Sequence, residues 1–437
     1  MLLKNLIKNS PQHLKNLKVK GLALNSKDVR KGYIFFAIKG NEFDGENFIN
    51  KAIKKGAIVI VCSKNSNFQS KKVYVIKTKR IRSYLSEITS KFYTLKPKNI
   101  IAVTGTNGKT SVADFFYQIL NINNIPVASI GTLGLRCRKK FVKTNLTSPD
   151  IITLHKNLEK LKRDKIDNVI IEASSHGLDQ NRLDNLNLKA GIFTNFSQDH
   201  LDYHKSMKAY LSSKLILFSR LLPKKSYVIS DKLINEYSIL KKISKSKQLK
   251  LLDINTTVNE IKNASLSLIG SFQIKNLSMA VLAARLCNLD KSKINRSLKK
   301  IRNVDGRLNL IKKYSNNIKV FIDYAHTPDA LREVIKSIKD TYNNNVSLVF
   351  GCGGERDFKK RPLMAKIAKS LCQNIYVTDD NPRKENPKKI RKEIIKHLNG
   401  SNYFNIGNRS KAIKEAILNA EPNETILIAG KGHENYQ

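Results

Sequence analysis

Short apolar runs set the rhythm of this chain. Within residues 1–97, Gly32-Tyr-Ile-Phe-Phe-Ala-Ile38, Ala57-Ile-Val-Ile-Val61 and Val73-Tyr-Val-Ile76 stand between Lys, Asn and Gly punctuation, which predicts short strands and a helix around residues 48–55. Leu95-Lys-Pro-Lys98 breaks the pattern. Beyond it the apolar strand Ile100-Ile-Ala-Val103 runs into a glycine turn, after which Val112, Phe115, Phe116, Ile119 and Leu120 fall at helical spacing, a βα unit. Buried-looking strands return at 168–172, 190–194, 320–323, 346–350, 374–378 and 425–429, alternating with helical stretches. The chain therefore reads as α/β with mainly parallel sheets. Residues 224–251 are rich in Lys and Ser and predict surface excursions around short elements; no internal repeat is visible.

A length of 437 residues allows two to four domains. The longest unbroken apolar stretch, Ala57-Ile-Val-Ile-Val-Cys62, is far short of the roughly 20 residues a membrane span needs, so no bilayer crossing is expected. Met1-Leu-Leu-Lys-Asn-Leu-Ile-Lys8 is interrupted by lysine before a signal-peptide core develops, and the expected location is cytoplasmic. Cys62, Cys137, Cys287, Cys352 and Cys372 are scattered and form no C-x-x-C pair, which argues against a disulfide framework or a thiolate zinc site. They read as reduced, small core residues. Charge changes the picture more: 80 basic against 35 acidic residues give +45, a balance that suggests nucleic acid or an anionic surface as partner. Of the basic residues 62 are Lys and 18 Arg, spread through every segment beside Asn and Ile, so drift on solvated faces accounts for the charge better than a nucleic-acid footprint.

The chemistry-bearing residues gather just after the strands. Gly-Thr-Asn-Gly-Lys comes after Val103-Thr104, Ala-Ser-Ser-His after Glu172, Tyr-Ala-His-Thr-Pro after Asp323, Gly-Cys-Gly-Gly after Phe350, Asp-Asn-Pro-Arg after Asp379, and Gly-Lys-Gly-His-Glu after Ala429. Open α/β sheets bind ligands at the carboxyl ends of their strands, and two such clusters, either side of about residue 305, predict two sheets facing one cleft. Gly105-Thr106-Asn107-Gly108-Lys109-Thr110-Ser111 has the makings of a phosphate loop: small residues let backbone N–H groups close on phosphate, Lys109 reaches the β/γ-phosphates and Thr110 can hold Mg²⁺. It departs from the strict form because Val103 stands at the first glycine position. Glu172 and the run Asp199-His200-Leu-Asp202-Tyr-His204 add oxygen and imidazole donors. His200 and His204 have the spacing of a zinc pair but lack a third soft ligand, and carboxylates beside a nucleotide loop point to Mg²⁺.

These segments, in this order and over nearly the whole chain, closely resemble the Mur ligases, and among them the members that add diaminopimelate to UDP-N-acetylmuramoyl-L-alanyl-D-glutamate. The resemblance implies a three-domain α/β architecture: an N-terminal uridine-nucleotide domain over 1–97, a central P-loop ATPase domain over 98–305 and a C-terminal Rossmann-like amino-acid domain over 306–437. It implies a monomeric cytoplasmic enzyme that uses ATP and Mg²⁺ in peptidoglycan synthesis, and through it in cell shape and division. Carried over by position, Lys109, Glu172, His200 and a carbamylated Lys214 would be catalytic, with Thr110, Glu172, His200 and Lys214 on the metal. Gly105 to Ser111, Asn276, Arg307 and Asp323 would hold ATP. Ser26, Thr147, Ser148, Ser174, Gln180 and Arg182 would hold the UDP-muramoyl-dipeptide, and Arg356, Asp380, Asn381, Pro382, Arg383, Gly430 and Glu434 the diaminopimelate.

Several positions depart from the family pattern: Asn25-Ser26-Lys27 for its Asp-Ser-Arg, Gln273 after Phe272, Glu355 in the glycine-rich run and Asn408 before Arg409. The family's chains also continue past the position of Gln437, which implies either a truncated sequence or a short C-terminal domain. A lysine-adding relative is the nearest alternative, folylpolyglutamate synthase a more distant one. A basic nucleic-acid-binding ATPase would account for charge and loop but not for the acidic and histidine-bearing strand ends.

Overall fold

The computed structural model describes residues 1–40, 43–138, 140–144, 146–262, 264 and 268–434. It forms two compact units, one of Met1–Ala102, Pro126–Ala190 and Ile216–Ser226, the other of Val103–Ile125, Gly191–Leu215 and Tyr227–Gln437. Among the described residues there are three sheets, of four, eight and six strands.

In the first unit the strands Gly21–Ala23, Tyr33–Phe36, Ala57–Ser63 and Tyr74–Thr78 lie parallel in that order. Alternation along them fills two cores. Ile34, Phe36, Val59 and Val61 pack with Leu3, Leu6 and Leu85, whereas Phe35, Ile60 and Cys62 pack with Ile49 and Ala52 of the helix Ile49–Lys54. This is why Ala57–Ser63 reads as one apolar run: both of its faces are covered. The same unit holds Val127–Gly131 parallel to Asn168–Glu172, and continues antiparallel through Gly134–Cys137 to Lys140–Val142.

The second unit carries the six-stranded sheet, ordered Asn309–Lys313, Lys319–Asp323, Thr425–Ala429, Val346–Phe350, Asn374–Val377 and Asn402–Asn405. Only the first pairing is antiparallel. Helices Pro328–Tyr342, Lys360–Leu371 and Pro387–Ile395 pack with one core and Arg409–Leu418 with the other, so the inner strands Val346–Phe350 and Thr425–Ala429 are buried at every position. The loops after four neighbouring strands thereby meet, although they leave the chain at 324, 351, 378 and 430.

Residues 224–251 differ from expectation. They hold the strand Tyr227–Ser230, the helix Tyr237–Lys247 and the start of Lys250–Asp253, and the two strands pair in parallel as members of the eight-stranded sheet. The helix buries only Leu240 and Ser244, so lysines on its other positions mask the period. None of the five cysteines is in a disulfide bond. Among the described residues no helix is long and apolar enough to cross a membrane.

Candidate active site

The strand Asn99–Thr104 is buried along its length and delivers the chain into the loop that precedes the helix Lys109–Ile122. Two glycines shape that loop. Gly105 has φ 145° and a Cβ there would fall 1.8 Å from Thr194 Oγ1; Gly108 has φ 85° and a Cβ would fall 2.5 Å from Asn276 Oδ1. Neither position admits a side chain. Partners outside the loop hold it: Thr106 N donates to Asn195 O at 2.9 Å, Asn107 N to Asn195 Oδ1 at 2.9 Å, and Thr194 Oγ1 to Asn107 O at 2.6 Å. Lys109 Nζ folds back onto Gly105 O at 2.9 Å and Thr106 O at 2.8 Å.

Lys214, in the helix Met207–Ile216, brings a second amine to the same carbonyl, with Nζ 2.7 Å from Gly105 O and 4.3 Å from the centre of the Tyr210 ring. It is fully buried. Burial, with the Lys109 charge added, pushes its pKa well below the ordinary lysine value, and Asp199 only partly opposes that shift.

Asp199 ties this segment to the loops of the six-stranded sheet. Its carboxylate lies 3.4 Å from His200 Nε2, 3.3 Å from His326 Nε2 and 3.9 Å from Lys360 Nζ. Burial alone would raise its pKa, but those three neighbours hold it well below the carboxylate range. Nearby, Arg307 Nη2 donates to Thr110 Oγ1 at 3.3 Å. Asp323 accepts from Leu308 N and Ala325 N, both at 2.6 Å. Burial nonetheless raises its pKa to about 6, against the opposing effects of Arg307 and these two N–H groups. The expected nucleotide residues Lys109, Thr110, Asn276 and Arg307 are thus gathered in one place. Asp199, His326, Lys360 and Tyr210 join them; the sequence marks Asp199 as an oxygen donor and places His326 in a strand-end segment, whereas nothing in it assigns Lys360 or Tyr210 a role.

The expected amino-acid residues form a neighbouring set. Glu434 accepts from Tyr324 Oη at 3.1 Å and from Asn381 Nδ2 at 3.3 Å, and Asn381 Oδ1 accepts from Lys431 Nζ at 3.1 Å. Arg383, exposed and at φ 52°, donates through Nη1 to Gly354 O at 2.7 Å and Asn381 O at 3.3 Å. Arg356 stands 3.6 Å from Asp202. Beneath these loops lies Arg361, 2% exposed, which reaches Glu393 at 2.7 Å, both Glu385 oxygens at 3.0 and 2.9 Å and Gly353 O at 3.3 Å. Its carboxylate partners are 24 and 32 residues away, so no local charge pattern marks it. Arg361→Ala is expected to lower the unfolding free energy by about 3 kcal/mol, because two carboxylates lose their cation while the loops lose a fastening. Urea denaturation checks this, and an unchanged midpoint would remove Arg361 from the structural account.

In the first unit the expected dipeptide residues form one network. Ser148 Oγ donates to Glu172 O at 2.7 Å and lies 3.0 Å from Ser174 Oγ; Arg182 donates to Ser148 O at 2.8 Å and Gln180 Oε1 at 2.7 Å. Thr147 joins through Thr132, whose hydroxyl and backbone N–H each donate to a Glu172 oxygen at 2.9 Å. Ser26 sits in the turn after Gly21–Ala23, buried, and among the described residues no hydrogen bond links it to this network. A cavity of about 640 Å³ opens at the strand ends of the four-stranded sheet, with Lys39, Lys79, Arg80 and Arg82 in its wall. The sequence offers no reason to pick these four from so many cations. Among the described residues no three His, Cys, Asp or Glu side chains gather into a ready metal cage.

Comparison with known proteins agrees with this arrangement. Three family models match in succession: Mur ligase family, catalytic domain, over residues 18–93; Mur ligase middle domain over 103–284; and Mur ligase, glutamate ligase domain, over 306–432. The chain is 40% identical to the UDP-N-acetylmuramoyl-L-alanyl-D-glutamate--2,6-diaminopimelate ligase of Rickettsia bellii (strain RML369-C), covering 96% of this chain and 92% of the relative. It is 35% identical to the enzyme of the same name from Brucella melitensis biotype 1, covering 98% and 92%. Of solved structures, one of a diaminopimelate ligase of that name aligns with a TM-score of 0.69 at 27% identity, covering 100% of this chain and 94% of the other. MurF ligase from Thermotoga maritima in complex with ADP aligns at 0.64 and 16% identity, covering 95% of each chain, a likeness of fold. With identity of this extent along the whole chain, and with the glycine loop, the twin lysines and the strand-end clusters in place, the chain belongs to the Mur ligase family.

Proposed function

We propose that this ligase uses ATP to join meso-diaminopimelate to the D-Glu γ-carboxylate of UDP-N-acetylmuramoyl-L-alanyl-D-glutamate, making a peptidoglycan precursor in the cytoplasm as a monomer. One observation carries the reading. A single compact unit holds both a glycine-shaped phosphate loop with two lysines on one carbonyl and, at strand ends of one sheet, a guanidinium (Arg383) with carboxylates (Glu434, Asp380) suited to the two charges of an amino acid. The names of the relatives support it.

The chemistry requires such a pairing. A carboxylate does not react with an amine, so the γ-phosphoryl group of ATP passes to the D-Glu carboxylate, leaving ADP. The amine then attacks the acyl phosphate carbon, phosphate leaves and the nitrogen loses a proton. Charge spreads over the phosphoryl oxygens in the first step, and Lys109 and Arg307 are the cations to meet it. The loop fits a phosphate chain because both glycines exclude side chains from its surface and the helix N-terminus adds N–H groups that no carbonyl of the helix can take. Asn276 and Asp323 hold the nucleotide. Thr110, Glu172, His200 and carbamylated Lys214 would hold Mg²⁺, which supplies further neutralisation of the phosphates. Thr147, Ser148, Ser174, Gln180 and Arg182 hold the dipeptide end. Ser26 and the basic wall of the first unit's cavity serve the uridine nucleotide. The segments 1–97, 98–305 and 306–437 divide these tasks, and each contains one of the three family-model matches.

Arg383 bears on which amino acid is added. Diaminopimelate carries a distal carboxylate that lysine lacks, and a planar guanidinium that is exposed and meets its two carbonyl partners through Nη1 suits that group. Phosphate release from ATP, Mg²⁺ and the UDP-muramoyl-dipeptide is expected with diaminopimelate, and lysine is expected to be poorer by about 10³-fold or more in kcat/KM. Efficient use of lysine would move the enzyme to the lysine-adding branch; release with neither amino acid would refute the ligase reading.

A further inference from the structure

Tyr324 stands between the two groups of residues proposed to bind ATP and the amino acid. It follows Asp323, whose carboxylate is fastened by two backbone N–H groups at 2.6 Å, so the turn that presents the ring is fixed. The Arg307 guanidinium lies over that ring, 4.5 Å from its centre. His326 meets it edge-on at 4.8 Å and 67°, and His433 lies against it at 5.5 Å and 34°. Gly432 makes room: a Cβ there would come within 2.8 Å of Tyr324 Cβ. At the other end of the side chain the hydroxyl donates to Glu434 Oε1 at 3.1 Å.

We infer that Tyr324 is a positioning residue for the amino-acid substrate: its hydroxyl orients Glu434 towards the ammonium of the incoming amino acid, while its ring holds Arg307 on the nucleotide side. The inference rests on the ligase reading above. Glu434 follows the Gly430-Lys-Gly432 turn and has several rotatable bonds, so an unheld carboxylate would spend much of its time in other rotamers. Tyr324 takes one oxygen and Asn381 the other, at 3.1 and 3.3 Å, which leaves each oxygen a remaining lone pair for a cation. The two functions of the tyrosine are chemically separable. Phenylalanine keeps the ring face on which Arg307 rests and removes only the donor.

Steady-state kinetics with each substrate varied in turn tests this. Tyr324→Phe is expected to raise the KM for diaminopimelate about ten-fold, the effect of losing one hydrogen bond to a charged group, with the KM for ATP within about two-fold of the unmutated value. Tyr324→Ala, which also removes the surface under Arg307, is expected to raise both. A purely structural tyrosine would move the two constants together in both variants. A Tyr324→Phe enzyme indistinguishable from the unmutated one, or one impaired equally towards ATP, would overturn the inference while leaving the ligase reading intact. Absence of diaminopimelate-dependent phosphate release in the unmutated protein would overturn that reading and the inference with it.

Discussion

Lys109→Ala is expected to reduce phosphate release by about 10³-fold or more at saturating substrates, while the thermal unfolding midpoint moves by only a few degrees. The two halves of this expectation have different physical grounds. The loss of activity follows from the proposed role of the amine as a mobile cation on the β/γ-phosphates, in a reaction where the protein's main task is to meet charge that develops on transferred oxygens. The preserved fold is expected from the loop itself, to whose carbonyls Gly105 O and Thr106 O the amine donates. The loop keeps its shape through Thr194, Asn195 and the two glycines. Arginine should not substitute, since its broad planar fork replaces a compact point charge in a loop where even a Cβ is excluded at two positions. A variant that keeps a tenth or more of its activity would refute the phosphate-loop assignment; one that unfolds would show that the amine also braces the loop.

The βα unit at 99–122 was legible in the sequence because its cues are local: a buried strand, a glycine turn and a helical period within two dozen residues. The parallel strands of the second unit were legible for a related reason, since burial on both faces leaves an unbroken apolar run. Residues 224–251 were not, because the helix there buries two positions and four lysines interrupt its apolar period. Gly21–Ala23 is simply too short to declare a period. In the candidate site, local signals again separated from distant ones. Lys109 announced itself through its loop, whereas Asp199 meets His326 127 residues away and Arg361 meets carboxylates beyond any periodic window. The excess of positive charge was the least instructive number in the chain. Most lysines are exposed, whereas Lys214, Lys360 and Arg361 at and beneath the candidate site are distinguished by burial, which composition does not record.

Lys214→Ala is expected to be nearly inactive, with activity partly restored by acetate or propionate. The proposed carbamate forms when the neutral Lys214 amine attacks carbon dioxide: a C–N bond is made, a proton leaves, and a cation becomes an oxygen-bearing anion suited to Mg²⁺. The neutral amine is the scarce reactant for an ordinary lysine at neutral pH. Here burial of Lys214 and the charge of the nearby Lys109 supply it, since two ammonium groups facing one carbonyl repel. Acidification should therefore protonate the amine and lower activity, and bicarbonate added to depleted enzyme should raise it. A small carboxylate can rescue the alanine variant because it offers the missing anion in the space the side chain vacates. The same reasoning excludes rescue by methylamine, which restores an amine but no oxygen. Labelling with ¹³C-bicarbonate gives a readout independent of turnover: the unmutated protein should show one carbamate resonance that the Lys214→Ala variant lacks. An active alanine variant, or an unmutated enzyme with no such resonance, would leave Lys214 a buried structural amine and require another source for the negative charge at the loop.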